Sequence, residues 1–218
     1  MIKFEHIDIH GWEAAIRGMR NPMNSWEKSD SFFGDFADDA TGAIFYEIGP
    51  NDLTLMMKLA KAGSEHSKYR RFITVTIDIT APLYWWKEFD TYKVGTVANS
   101  CSTMHKIHSK EFTTDDFSTD NLTDSAIEGS LEETIKFLNI ARDMYIKKEK
   151  KSKAAWWQMI QLLPSSYNQK RTVMLNYEVL AHIYQQRKDH KLDEWHDFCD
   201  TIRALPYSEI ITLEEGEK

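Results

Sequence analysis

A stretch of nine alternating residues near the middle of the chain constrains the fold most. It reads Phe72-Ile73-Thr74-Val75-Thr76-Ile77-Asp78-Ile79-Thr80. Successive side chains of a β-strand point to opposite faces of a sheet, so this pattern predicts a strand with one buried face. An Ala81-Pro82 break follows. Because proline is well tolerated in a first helical turn, the break predicts a short aromatic helix over residues 83–90.

The other apolar patterns place further elements around this strand. Imperfect alternation over residues 2–9 predicts a first strand, and helical spacing predicts six more helices. Those helices cover residues 11–19, 53–63, 126–145, 153–162, 172–188 and 192–204. Turn-forming residues predict an irregular excursion with one hairpin over residues 21–49 and an exposed loop over residues 108–124. Residues 147–151 are predicted to form a solvated, lysine-rich helix end, and residues 206–218 a tail. The fold class predicted is α/β (α+β), as a single domain over 1–218 with an antiparallel-rich sheet packed against helices.

Composition and charge exclude several classes of function. The 218 residues carry a formal charge of −7, which argues against nonspecific binding to nucleic acid or to an anionic membrane. No apolar run approaches the ~20 residues that span a bilayer, and the first residues do not resemble a signal peptide, so we expect a cytoplasmic protein. Cys101 and Cys199 are the two cysteines; they indicate neither a disulfide framework nor a metal site.

The central strand and the residues after it resemble the signature region of the flavin-dependent thymidylate synthases. In that family a strand, an Ala-Pro and a short aromatic helix precede a pattern that can be written RHRxxSxNExSxRY. Here the same context leads into Thr91-Tyr92-Lys93-Val94-Gly95-Thr96-Val97-Ala98-Asn99-Ser100-Cys101-Ser102-Thr103-Met104.

Three other pieces of the chain carry the same resemblance in the same order. Ala15-Ile16-Arg17-Gly18-Met19-Arg20 resembles the family's Arg-Ala-Ala-Arg, and the helix that ends near His66 resembles one that ends in a histidine before the signature strand. Downstream, Leu162-Leu163-Pro164 resembles a Leu-Pro turn. Asn176-Tyr177-Glu178 together with Gln186-Arg187 resembles the family's Asn-Ala-Arg helix and its closing arginine.

The resemblance implies an FAD-dependent methyltransferase that assembles as a homotetramer, with FAD held between subunits. Its reaction is the reductive methylation of dUMP, with methylenetetrahydrofolate as carbon donor and NADPH as reductant. In such enzymes the flavin performs the hydride chemistry, while the protein supplies positioning and charge. The implied partner is thus a small-molecule nucleotide, and the sequence is similar to members of the family carried in phage genomes.

The resemblance assigns two groups of binding residues and leaves the catalytic residues unknown. The cofactor-binding candidates are His66, Tyr92, Lys93, Asn176 and His182. The substrate-binding candidates are Glu88, Thr91, Cys101, Ser102, Thr103, Lys170 and Arg187. Arg187 offers a planar donor fork for carbonyl or phosphate oxygens, whereas Lys170 keeps the charge of a phosphate-binding arginine without its fork, for which Arg171 is a candidate substitute. Surface roles are the competing interpretation for His66, His182 and Arg187.

Most charged residues of the family pattern are replaced. Thr91-Tyr92-Lys93 stands where Arg-His-Arg would be, and Thr103 stands where an arginine grips the substrate phosphate. Each lost charge-assisted hydrogen bond removes ~1.5–3 kcal/mol, a roughly tenfold to hundredfold loss of affinity, so we expect a weakened dUMP site. Three explanations stay open: a changed ligand, compensation from residues 21–49, or lost catalysis. The alternatives to an enzyme are a non-catalytic phage or prophage protein that sequesters a nucleotide and a structural oligomer without a ligand.

Overall fold

The computed structural model describes residues 2–37, 44–147 and 152–214. The strands are β1 Lys3–His10, β2 Phe32–Ala37, β3 Ile44–Glu47, β4 Thr74–Pro82, β5 Val97–Ser100 and β6 Asn168–Asn176. The helices are α1 Trp12–Arg20, α2 Pro50–Lys61, α3 Leu83–Phe89, α4 Ser125–Ile146, α5 Lys153–Leu162, α6 Tyr177–Arg187, α7 Asp193–Arg203 and α8 Glu209–Thr212.

Four strands form one sheet in the order β1-β4-β6-β5, and β2 and β3 pair separately as an antiparallel hairpin. This mixture of helices and antiparallel sheet confirms the predicted α+β class. The hairpin lies in the 21–49 excursion, where one was expected, and residues 38–43 lie outside the described residues. In the described part of the chain, no helix combines the length and the apolar character needed to cross a membrane.

The described residues fall into two compact units. The first comprises residues 2–5, 78–91 and 98–173, and the second comprises residues 6–77, 92–97 and 174–214. In the first unit, α4 and α5 pack together around the buried side chains of Leu138 and Met159. In the second unit, α6 packs against α7 and α8, while α1 packs against a 3-10 turn at Ser67–Arg71.

The central strand and the aromatic helix after it are confirmed. Ile73 and Ile79 are fully buried, and the residues of β4 alternate between buried and half-buried positions. Pro82 is the N-cap of α3. The aromatic side chains of α3 form buried ring contacts, in which Trp85 lies 4.9 Å from Trp86 between ring centroids. The sequence pattern was sufficient here because both elements are defined by local alternation and local breaks.

The predicted helix over 172–188 is wrong in its first five residues. Residues 172–176 belong to β6, in which Val173 and Leu175 are buried while Met174 is exposed. Asn176 therefore is not in the middle of a helix; it is the N-cap of α6, and its side-chain oxygen accepts a hydrogen bond from the Val179 amide at 3.0 Å. Asparagine is among the preferred N-cap residues because its short side chain reaches an unpaired amide of the first turn.

Two segments expected to be irregular contain buried residues. Within 108–124, Phe112 and Phe117 enter the same core cluster as Leu138, so this stretch is an exposed loop only in part. The expected tail at 206–218 includes α8, whose Ile210 and Ile211 are fully buried. Because both segments are mainly polar, their composition did not indicate that these few apolar residues are buried. Residues 148–151 of the lysine-rich helix end and 215–218 of the tail lie outside the described residues.

A buried ion pair organises the start of the excursion in the second unit. The Arg20 guanidinium donates from Nε to the Asp52 carboxylate at 2.6 Å, and the two side chains are 5% and 0% exposed. Ser29 and Ser31 also donate their hydroxyls to Asp52, each at 2.7 Å. Burial raises the pKa of Asp52, but hydrogen bonds from Ser29, Ser31 and Arg20 outweigh it, so the pKa lies below its ordinary value of 3.8. The stabilisation is therefore present above that value and is lost as the pH falls through the lowered pKa.

The first turn of α2 is capped from the excursion and not by its own residues. The Asp30 carboxylate accepts hydrogen bonds from the backbone amides of Asn51 and Asp52, at 2.9 and 3.0 Å. Gly49 precedes the helix, and a Cβ there would lie 2.2 Å from the Asp30 carboxyl carbon. Close approach of Asp30 to the backbone thus requires glycine at this position.

Breaking the buried ion pair should destabilise the protein strongly. Replacing Arg20 with methionine leaves the Asp52 carboxylate buried without its counter-charge, so we expect the free energy of unfolding to fall by about 3–5 kcal/mol. Arg17→Met is the matched control, because the ion pair of Arg17 with Glu13 is 65% and 57% exposed and should contribute less than about 1 kcal/mol. Urea denaturation followed by circular dichroism measures both. Equal losses in the two variants would contradict a special role for Arg20.

Candidate functional site

Four of the predicted substrate-binding residues line one cavity in the first unit. They are Cys101, Ser102, Thr103 and Lys170, and we call the space the Lys170 cavity. Its volume is about 520 Å³, within the range of typical small-molecule pockets. The other lining residues are Lys3, Thr80, Lys106, Ile107, Ser109, Lys110, Asp115, Asp116, Tyr167, Asn168 and Gln169.

Hydrogen bonds to β6 hold the turn that carries Cys101, Ser102 and Thr103. The Cys101 amide donates to the Lys170 carbonyl at 2.9 Å, and the Gln169 side-chain amide donates to the Cys101 carbonyl at 2.6 Å. Beyond them, the Ser102 hydroxyl oxygen accepts from the His105 amide at 2.8 Å. These local bonds fix the chain after β5 beside Lys170, so the predicted residues converge through backbone pairing.

Lys170 is already paired with two carboxylates. Its ammonium lies 3.0 Å from a carboxylate oxygen of Glu5 and 3.1 Å from one of Asp78. Thr172 holds the other oxygen of Asp78 by donating its hydroxyl at 2.5 Å. Hydrogen bonds to Glu5 and Asp78 raise the pKa of Lys170, so it stays charged but locally neutralised. The expected phosphate grip is therefore weaker than the charge of Lys170 alone suggests.

Three other lysines line the cavity, and the sequence interpretation missed them. Lys110 pairs with Asp116, which also accepts from the Thr113 amide at 2.9 Å and so closes a capping box at the 3-10 turn Thr114–Asp116. Lys3 and Lys106, both exposed, form no ion pair with another described residue. The sequence offered one indication of these lysines, because Lys106 follows the Ser102–Thr103 segment closely along the chain.

The two polar residues before Gln169 contribute a donor and an acceptor to the cavity. Burial, with the nearby Asp116, raises the pKa of Tyr167, so its phenol stays protonated near neutral pH. The side-chain oxygen of Asn168 is buried and has no hydrogen-bond partner among the described residues. Buried polar atoms are normally paired, so this oxygen favours a ligand or water that donates an N–H or O–H.

Arg171, Glu88 and Thr91 do not line the cavity. Because side chains alternate along β6, Arg171 points away from the Lys170 side, stacks 4.2 Å above the Trp86 ring and pairs with Asp90 at 2.7 Å. It therefore does not substitute for a phosphate-binding arginine in this cavity. The Thr91 hydroxyl donates to the Glu88 carbonyl at 2.7 Å and so ends the turn after α3.

In the second unit, Tyr92 is the centre of a side-chain cluster. It is 7% exposed, and its hydroxyl donates to the Gln186 side-chain oxygen at 2.9 Å while it accepts from Arg187 Nε at 2.7 Å. The Arg187 guanidinium also lies 4.6 Å above the Trp195 ring. His182 contacts Tyr92 ring edge to ring face, with centroids 5.9 Å apart. Arg187 is thus braced by aromatic rings and is more than a surface residue at a helix end.

Asn176 and the loop after Tyr92 also belong to the second unit. Gly95 has a φ of +81°, and a Cβ there would lie 3.0 Å from Val179 and 3.4 Å from the Asn176 amide nitrogen. The loop thus packs closely over the start of α6, where Asn176 caps the helix. Lys93 is exposed on this loop. His66 is exposed at the start of the turn Ser67–Arg71 and does not join the Tyr92 cluster.

Two of the residues expected to bind FAD already use polar atoms within the protein. The Tyr92 hydroxyl already makes one donated and one accepted hydrogen bond, and the Asn176 oxygen is used as a helix cap. Lys93 is the one cation among the five expected cofactor residues, against a diphosphate that carries two negative charges. Within the described residues, no group of three or more histidine, cysteine, aspartate or glutamate side chains could hold a metal ion.

The two cysteines should differ sharply in reactivity. Cys101 is exposed at the Lys170 cavity, whereas Cys199 is 1% exposed and burial raises its pKa to about 11. Because the thiolate is the nucleophile, iodoacetamide near pH 7.5 should modify Cys101 alone in the folded protein and both cysteines in guanidinium. Mass spectrometry of tryptic peptides gives the sites. Modification of Cys199 in the folded state would contradict its buried position.

The chain matches known proteins in structure but not in sequence. Neither protein-family models nor curated protein sequences match this chain. A flavin-dependent thymidylate synthase from Helicobacter pylori, complexed with FAD and dUMP, has a TM-score of 0.65 at 15% identity, covering 97% of each chain. A second structure from Helicobacter pylori, also with FAD and dUMP, gives 0.63 at 16% identity, covering 97% of this chain and 96% of the other.

A third similar structure is a UMP/dUMP methylase from Streptomyces cacaoi bound with 5-Br dUMP. Its TM-score is 0.64 at 14% identity, and the match covers 98% of this chain and 95% of the methylase. The similarity extends over nearly the full length of each protein, although few residues are identical. The chain has the fold of the flavin-dependent thymidylate synthases.

Proposed function

We propose that the chain binds a pyrimidine nucleotide of the dUMP class in the Lys170 cavity and acts as a binding protein. The observation that carries the proposal is the convergence of Cys101, Ser102, Thr103 and Lys170 on one cavity with Lys3 and Lys106. The fold supports it, since the similar structures contain dUMP or 5-Br dUMP. The binding function corresponds to a nucleotide-sequestering protein of the kind expected for a phage or prophage.

The charges of the cavity favour a phosphate at its unpaired lysines. Lys170 and Lys110 are each held by carboxylates, so Lys3 and Lys106 are the cations available to an anionic ligand. An ammonium attracts a phosphate as a point charge without the directional fork of an arginine. The proposed phosphate position therefore differs from the one that the resemblance assigns to Thr103 and Lys170.

The cavity also offers a hydrogen-bond donor and an acceptor to the uncharged part of the ligand. The buried oxygen of Asn168 requires a donor, and the N3–H of a uracil ring is one. Tyr167 stays protonated and can donate to a carbonyl oxygen. A uracil ring presents both kinds of group, with its N3–H as donor and its carbonyl oxygens as acceptors.

Association of copies of the chain is part of the proposal. The exposed apolar side chains Phe137 and Ile140 of α4 and Leu162 of α5 border a groove of about 510 Å³. Exposed apolar patches of this kind are characteristic of interaction surfaces. They support the expected homo-oligomer, of which a homotetramer is the form implied by the resemblance.

Removing one unpaired lysine should weaken nucleotide binding. We expect Lys106→Ala to raise the Kd for dUMP roughly tenfold, because a charge-assisted contact to the phosphate is lost, and to leave deoxyuridine binding unchanged. Lys153→Ala is the matched control, since Lys153 is exposed and does not line the cavity. Isothermal titration calorimetry at fixed salt measures all three proteins. Failure of dUMP to bind the folded wild-type protein at millimolar concentration would contradict the proposal.

The second candidate function is a flavin-dependent methylase, favoured by the full-length similarity to the complex with FAD and dUMP. FAD would supply the hydride chemistry of that reaction. Because Tyr92 and Asn176 are committed to internal contacts, we expect natively purified protein to be colourless and to release a nucleotide without flavin on denaturation. Absorption spectroscopy and mass spectrometry of the released small molecules test this expectation. A yellow protein that retains stoichiometric FAD would favour the methylase.

A further inference from the structure

A second cavity, in the second unit, is lined by aromatic rings and carboxylates. Its volume is about 560 Å³, and we call it the Tyr46 cavity. The aromatic residues Trp12, Phe33, Tyr46 and Tyr207 form its walls, and Glu13 and Glu47 lie at it with exposed side chains. It lies outside the candidate nucleotide site, and the proposed function does not use it.

The rings are arranged as adjacent perpendicular walls. Phe33 and Tyr46 meet with centroids 5.0 Å apart and planes at 77°, and Trp12 and Tyr207 meet at 5.3 Å and 70°. Two such pairs around one space present ring faces in different directions. The faces of aromatic rings carry negative partial charge and attract cations, and cages of this kind recognise quaternary ammonium groups.

Tyr207 is held firmly in an unfavourable backbone conformation. Its φ is +54°, which is uncommon for a bulky residue. The Ile48 amide donates to its hydroxyl oxygen at 3.0 Å, and its ring contacts Trp12. The Tyr207 ring is therefore held in place by contacts with Ile48 and Trp12 and forms a fixed wall of the cavity.

The electrostatic environment is negative. The carboxylates of Glu13 and Glu47 lie at the cavity. Glu13 also pairs with Arg17, but that contact is long at 3.4 Å and exposed. Burial raises the pKa of Tyr46, the charges of Asp52 and Glu13 add to this effect, and Arg17 opposes it. The N-terminus of α1 opposes this field, but Glu13 lies in its first turn and offsets the helix dipole.

From the ring geometry and the two carboxylates, we propose that the Tyr46 cavity binds a small organic ammonium ion, with a quaternary or alkylated nitrogen placed against the rings. Desolvation of such an ion is mild because its charge is spread over alkyl groups. Ring faces and nearby carboxylates then act together, whereas a neutral molecule of the same shape gains only the apolar contact.

Choline and its neutral counterpart 3,3-dimethylbutan-1-ol separate charge from shape. Ligand-observed NMR titration of the full-length protein should show saturable binding of choline, with the alcohol roughly tenfold weaker. Equal binding of the two molecules would overturn the proposal. So would the absence of saturable choline binding up to roughly 50 mM, since cation–π contacts and carboxylates together should give millimolar affinity or better.

Matched variants locate the bound ion. Glu47→Gln and Phe33→Leu should each weaken choline roughly threefold or more, since one removes a charge and the other a ring face while retaining apolar bulk. Phe32→Leu and Glu27→Gln should leave binding unchanged, because Phe32 and Glu27 are exposed and do not line the cavity. Unchanged melting temperatures verify the fold of each variant. Equal effects in both pairs, or none in either, would overturn the assignment.

Discussion

The buried pair of Arg20 and Asp52 is the interaction on which much of the second unit depends. Asp52 gathers Ser29 and Ser31 around one carboxylate, and Ser31 in turn accepts the Gly49 amide at 3.1 Å. This chain of bonds brings the two ends of the hairpin together, because Ser31 precedes β2 and Gly49 follows β3. The aromatic walls at Phe33 and Tyr46 are consequences of that closure. A single desolvated charge pair thus orders a segment whose own composition predicts little regular structure.

The sequence predicted the elements that local patterns define and missed those that need distant partners. Alternation around Ile77 identified β4, and helical spacing identified α4, because each pattern is contained in one element. The helical pattern wrongly includes the last five residues of β6, because Val173 and Leu175 continue into the apolar positions of α6. Asn176 indicated the correct start of α6, because asparagine is a preferred N-cap residue and its side chain can reach the Val179 amide in the first turn. The side chain that caps α2 comes from Asp30, which no local pattern in that helix reveals.

The candidate nucleotide site was likewise predictable only in part. The resemblance assigned Cys101, Ser102, Thr103 and Lys170 to substrate binding, and hydrogen bonds between Cys101 and β6 bring them together. Their charges could not be anticipated, because the carboxylates that neutralise Lys170 come from β1 and β4. The fold is shared with a flavin-dependent thymidylate synthase at 15% identity, so most side chains differ between the two proteins. A shared fold does not by itself establish a shared chemistry, which has to be argued from the side chains of the site.

The alternation of β6 has a consequence for how the chain can change. Lys170 and Arg171 are consecutive cations, yet one lines the cavity and the other stacks on Trp86. The alternation of side chains along the strand thus decides which cation lines the cavity and which one stacks on the indole. Deleting one residue before this pair would turn both side chains to the opposite faces of the strand and bring the guanidinium fork to the position that Lys170 now occupies, among the cavity's hydroxyls. The route from this cavity to an arginine-based phosphate site is one of register, with no new side chain required.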